Sequence, residues 1–134
     1  MNNARTEIKA SFLITGFSCA HEVTEVIGVQ PTETWVKGDR IGKSILIRKS
    51  NGWRLRSRLS LRADLERHAR HILKRIYPRG TKLLSLKGYQ GNFSVAMYIY
   101  DSDRPPIVLP AEVVQQMAQL RASVDIDLYN FDSK

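Results

Sequence analysis

The sequence predicts an α+β domain, with one antiparallel or mixed sheet and helices packed on one face. Three observations predict it. Residues 53–59 and 93–100 alternate apolar and polar side chains with the period of two that a half-buried strand requires. Residues 61–77 and the stretch from Pro110 carry apolar residues at helical spacing. At 134 residues, a single domain spanning 1–134 is expected, long enough to fold around one core without disulfides or metals.

The first element is a strand over residues 6–17, with Ile8, Phe12 and Ile14 on one face. Ser18 is placed as the N-cap of a short helix, Ala20 to Ile27, whose apolar stripe is Val23, Val26 and Ile27. Glu22 suits its first turn, Gly28 stops it and Pro31 keeps it stopped. A polar loop, residues 30–42, follows.

Residues 43–60, KSILIRKSNGWRLRSRLS, read as a hairpin. Asn51-Gly52 between two strand-like runs favours a type I′ turn, because both residues tolerate positive φ. That pairing puts Arg54, Arg56 and Arg58 on one face and Trp53, Leu55 and Leu59 on the other. Ile45 and Ile47 then conflict with the pattern, since they share the arginine face.

Ser60 is expected to cap a helix over 61–77. Its stripe is Leu61, Leu65, Ala69, Ile72 and Ile76, with Arg67, Arg70 and Lys74 opposite and Pro78 ending it. A second hairpin is expected over 81–89 and 92–101. Pro110 opens a third helix lined by Val113, Val114, Met117 and Leu120, and residues 124–129 form a last strand. The order is β-α-β-β-α-β-β-α-β, ferredoxin-like in its first six elements.

Charge is unevenly placed. Residues 37–87 hold sixteen Lys and Arg against three acids, a net of +13, while residues 1–36 carry −2 and residues 88–134 carry −3. Either the acidic ends neutralise the basic middle, or a basic face awaits an acidic partner. A single cysteine, Cys19, precludes an internal disulfide, and the N-terminus reads as a strand rather than a signal peptide. No apolar run approaches the ~18 residues of a membrane span, so a cytoplasmic protein without a membrane partner is expected.

Chemistry-bearing patterns are sparse. Residues 38–44, GDRIGKS, resemble a phosphate-binding loop but lack its first glycine, and Ile45 and Ile47 indicate a strand where that loop needs a helix. His68 and His71 could ligate a metal at i,i+3, yet His68 centres the apolar stripe and Asp64 is placed to accept its ring N–H. Asp125 and Asp127 share a strand face with nothing to complete a site. Cys19 near His21 and a helix start reads as a small hydrophobe. No catalytic residue, metal or cofactor is therefore expected. Trp35, set in a polar loop, is either a plug that pins the loop or a binding anchor.

Residues 28–39, GVQPTETWVKGD, resemble the opening motif of a bacterial family of small domains of unknown function, number 4279. In that family a strand and a short helix ending G-x-x-P-[ST] precede W-x-K-G-[DE], with a tryptophan-bearing strand and a helix after it. The resemblance implies a free-standing bacterial protein and carries no activity with it.

The expected role is a non-catalytic partner-binding protein using the basic hairpin face. Lys49, Arg54, Arg56, Arg58 and Arg62 are the candidate contacts, joined by Trp35 and Lys37 from the preceding loop. An acidic protein is the expected partner, and a toxin-neutralising immunity protein is one concrete form. The alternatives are a nucleic-acid binder using the same face and a small-molecule-binding domain with a pocket near Trp35 or His68. Oligomeric state is not readable, although an unpaired sheet edge can pair with itself.

Overall fold

The computed structural model describes residues 6–77 and 79–132. Five strands form one mixed sheet. They are β1 (Thr6–Thr15), β2 (Glu33–Trp35), β3 (Gly52–Arg56), β4 (Gln90–Tyr100) and β5 (Ala122–Phe131), in spatial order β2-β3-β1-β4-β5. The helices are α1 (Ala20–Ile27), α2 (Leu65–Ile76) and α3 (Ala111–Gln119), with a short 3-10 helix over Gly80–Ser85. All neighbouring strands are antiparallel except β4 and β5, which are parallel.

The first four strands have ferredoxin-like order, with β3 between β1 and β2, and β1 between β3 and β4. The pair α3 and β5 extends that unit at one edge. One side of the sheet carries Ile8, Phe12, Ile14, Trp53, Leu55, Phe93, Val95 and Met97, all buried in a single core with Val23, Ile72 and Val113 from the helices. Phe12 and Phe93, opposed across β1 and β4, pack with ring centroids 4.9 Å apart. Trp53 is fully buried, and its indole N–H donates to Thr24 Oγ1 of α1 at 3.0 Å, so its one polar atom is satisfied.

Several local expectations are corrected. Asn51-Gly52 makes no I′ turn, because neither residue has positive φ. The Asn51 side chain instead donates to Phe17 O and Ser18 O and accepts from Lys37 N–H, tying three segments together. The strand before it is also absent. Residues 36–51 form a protruding loop held by the Arg40–Ile47 bridge, and the partner of β3 is the three-residue β2. Ile45, Leu46 and Ile47 are 90%, 64% and 58% exposed on that loop, which removes their conflict with the sheet.

The segment 81–89 is not a strand. Residues 80–85 coil into the 3-10 helix, with Leu83 buried and Lys82 N–H and Leu86 N–H closing short turns onto Arg79 O and Leu83 O. Both predicted caps move. Cys19, not Ser18, holds the N-cap position of α1 and makes no side-chain bond there. Asp64, not Ser60, caps α2, accepting from Arg67 N–H at 2.8 Å. Pro78 lies outside the described residues; Tyr77 before it is extended, as the residue preceding a proline favours.

Candidate functional site

The opposite side of the sheet carries no helix among the described residues. Its cross-strand register defines rows of side chains. One row reads Glu33, Arg54, Leu13, Asn92, Ser123, and the next reads Arg56, Ser11, Ser94, Asp125. The face is cationic over β3, floored with small hydroxyls over β1 and β4, and acidic over β5. Asn92 donates to Ser123 and Asp125 at 2.6 and 2.8 Å, anchoring the acidic side.

A groove of about 370 Å³ lies on the cationic half. Ser11, Ser94 and Ala96 floor it, Arg54 and Arg56 line one end, Lys9 and Tyr98 the other, and Leu59 and Leu61 close its side. Strand β3 stops at Arg56, but the chain keeps following β1, with Ser57 N–H on Ala10 O and Ile8 N–H on Leu61 O. This run shifts phase after Arg56. Leu59 and Leu61 come to the groove, while Arg58 lies toward α2, close enough to Arg75 and His71 for its charge to act on them. The expected ladder of three arginines is therefore a pair.

That pair shares one carboxylate. Glu33 Oε1 accepts from Arg56 Nη2 at 2.8 Å and stands 3.5 Å from Arg54 Nε, too poorly placed to make a hydrogen bond there. Arg54 Nε and Arg48 Nε are buried without a hydrogen-bond partner among the described residues. Burial pulls the Arg54 guanidinium below its ordinary pKa; Glu33 opposes this, while Arg56 and Arg48 reinforce it. Two arginines against one acid leave the end of the groove cationic.

Trp35 is folded back on this end. Its indole lies against the Gly52 backbone, and the Arg48 guanidinium sits 3.9 Å from the ring centroid on a cation–π contact. The loop motif makes this possible. Gly38 takes φ +96, Asp39 Oδ2 accepts from Val36 N–H at 2.8 Å, and Asp39 O accepts from Arg48 N–H at 2.7 Å. The W-x-K-G-D run is thus a turn that returns the chain so that Arg48 can cover Trp35. Lys37 and Lys49 are exposed at the base of the protruding loop. Arg62 lines a neighbouring hollow with Asp64, Arg67 and Arg104, and does not line the groove itself.

Sequence reasoning missed Lys9, Ser11, Ser94 and Tyr98, whose signal was their place on the polar phase of β1 and β4. It also missed the partner of His68. Ser57 Oγ lies 2.6 Å from His68 Nδ1, while Asp64 is occupied with its cap. His68 is buried and lines the groove, and its Nε2 has no partner among the described residues. Among the described residues no carboxylate hydrogen-bonds the His68 ring, although the charge of Asp64 acts on it.

The strand-helix-W-x-K-G-D-strand-helix succession agrees with a match to a family model, described as a domain of unknown function, over residues 6–131. The chain belongs to the DUF4279 family. Neither the comparison with curated proteins nor that with solved structures gave a match. In this DUF4279 chain the W-x-K-G-D stretch places Trp35 against Gly52 and beneath Arg48. No helix of the described residues is long and apolar enough to cross a membrane, and no group of three or more potential metal ligands occurs among them.

Proposed function

We propose that this protein is a non-catalytic binding domain that takes an extended acidic segment of a partner protein in the groove on the open sheet face. The observation that carries the reading is the gathering of Lys9, Arg54 and Arg56 around the hydroxyls of Ser11 and Ser94, with Glu33 the one acid in an ion pair with the arginines among the described residues. A carboxylate laid between them would meet charge-assisted donors at one end and hydroxyl donors on the floor. Leu59, Leu61 and Tyr98 supply the apolar walls that favour a peptide over a free ion. Lys37 and Lys49 extend the positive field along the protruding loop. An immunity protein against a toxin with an acidic surface is one concrete form.

A second reading rests on a different observation. Tyr98 stacks on Tyr129 with centroids 5.3 Å apart, and Tyr100 on Phe131 at the same distance, on the same open face. Aromatic rings on a sheet face serve single-stranded nucleic acids. Those rings lie over the acidic side of the face, where Asp125, Asp127 and Glu7 would repel a phosphate backbone stacked on them, whereas an acidic segment in the groove lies beside Arg54 and Arg56, so the acidic segment is favoured. The deciding experiment titrates a Glu-rich peptide and a single-stranded oligonucleotide at low salt into wild type and Arg54→Glu/Arg56→Glu. The reading expects peptide binding that the variant abolishes. No peptide binding, or binding unchanged in the variant, overturns it.

A further inference from the structure

Among the described residues, no strand pairs with the far edge of the sheet along β5. That strand has one neighbour, β4, so its outward N–H and C=O groups face away along ten residues. Both its faces are also exposed. Val124 and Leu128 are 38% and 50% exposed on the helix side, and Tyr129 and Phe131 are 44% and 45% exposed on the open side. Only Ala122 and Ile126 pack against the core.

Helix α3 continues this exposure. Glu112 pairs with Arg70 of α2, and Tyr77 donates to Gln119, so one side of α3 faces α2. Val113, Met117 and Leu120 face the core. Val114, 49% exposed, falls on the side away from α2, the side toward the β5 edge. An apolar margin beside an edge unpaired among the described residues, with no Lys, Pro or Gly in the strand and its two acids, Asp125 and Asp127, both on the open face, is a template for another strand.

We propose that two copies of this chain pair through β5, antiparallel and edge to edge, into a dimer with one continuous ten-stranded sheet. The opposite edge cannot supply the partner strand, because β2 is three residues long and passes directly into the protruding loop. The long edge therefore matches itself, which closes on a two-fold axis rather than growing a filament. The charge pattern selects the arrangement. Parallel in-register pairing would set Asp125 and Asp127 against their own copies, which is unfavourable. Antiparallel pairing centred on Leu128 sets Asp127 opposite Tyr129 of the second copy and Asp125 opposite its Phe131. Leu128 then meets Leu128, and the two Val114 side chains are drawn toward the shared seam.

Light scattering coupled to size exclusion, over a micromolar concentration series, tests this. Wild type is expected at twice the 15.3 kDa chain mass, and Val124→Lys/Leu128→Lys at the single mass with an unchanged far-ultraviolet circular dichroism spectrum. Ile45→Lys, on the protruding loop, is expected to stay dimeric. The register is tested separately by Leu128→Cys in a Cys19→Ser background, which should oxidise to an intermolecular disulfide because the residue faces its own copy. A wild type at the single mass throughout, a double mass that survives the lysine pair, or a Leu128→Cys chain that does not cross-link overturns the proposal.

Discussion

Gly52 lies directly beneath the indole of Trp35: a Cβ at position 52 would overlap Cε2, Cζ2 and Nε1 of that ring. The two residues are paired across β2 and β3, so the absence of a side chain on one strand is what lets the other strand's tryptophan lie flat. Arg48 then covers the exposed side of the ring. Gly52→Ala is expected to lift Trp35 off the sheet and destabilise the domain by about 1–3 kcal/mol, the usual cost of overpacking. Urea unfolding measures the loss. A variant as stable as wild type would contradict this packing.

His68 gives the fold a pH dependence. Burial pushes its imidazole below the ordinary value; Asp64 opposes this, and His71 adds to it. The ring therefore holds a proton less readily folded than unfolded, and the unfolded chain takes one up as the pH drops below about 6.5. The unfolded chain then binds more protons, so this contribution is complete above that pH and is lost as pH falls through it toward the folded value. Burial likewise lowers His71, with Arg75, Arg58 and Lys74 adding to the effect. The urea midpoint should fall between about pH 7.5 and pH 5.5, less steeply in His68→Gln and least in His68→Gln/His71→Gln. An equal decline in all three proteins would assign the dependence elsewhere.

Tyr89 closes the end of the core. Its hydroxyl donates to Leu120 O at 2.7 Å, and burial pushes its pKa well above that of an ordinary tyrosine. Tyr89→Phe leaves that carbonyl without its donor and is expected to cost about 1–3 kcal/mol. Thermal unfolding checks this, and an unchanged midpoint would show that water replaces the hydroxyl freely.

Much of this architecture was legible because its signals are local. The alternation in β4, the stripe of α2, the Gly28 stop of α1 with its φ of +78, and the α3–β5 succession all follow from neighbours in sequence. The errors arose where distant contacts outweighed local preference. Asn51 gives up a turn for bonds to residues 17, 18 and 37. Strand β2 is three half-polar residues that exist because Glu33 and Trp35 find Arg54 and Gly52. The groove was half legible: Arg54 and Arg56 stood out by charge, whereas Lys9, Ser11 and Ser94 join them only through the register of β1 and β4.

Glu33 sets how much positive charge the groove keeps. It is partly exposed, so its pairs with Arg54 and Arg56 contribute at most about 1 kcal/mol each to stability. Glu33→Gln should leave the unfolding midpoint nearly unchanged and tighten binding of a Glu-rich peptide, by up to about fivefold for an interaction of that size. Isothermal titration at low salt reads the change. Weaker binding would mean that Glu33 orients the arginines rather than competing for them.

The most direct test of the open-face reading maps binding residue by residue. Amide resonances are followed by nuclear magnetic resonance while a Glu-rich peptide is added at low salt. Shifts concentrated at Lys9, Ser11, Arg54, Arg56 and Ser94 are the predicted result. Shifts centred instead on the α2 surface at Arg67, Lys74 and Arg75, or no shifts, would contradict it.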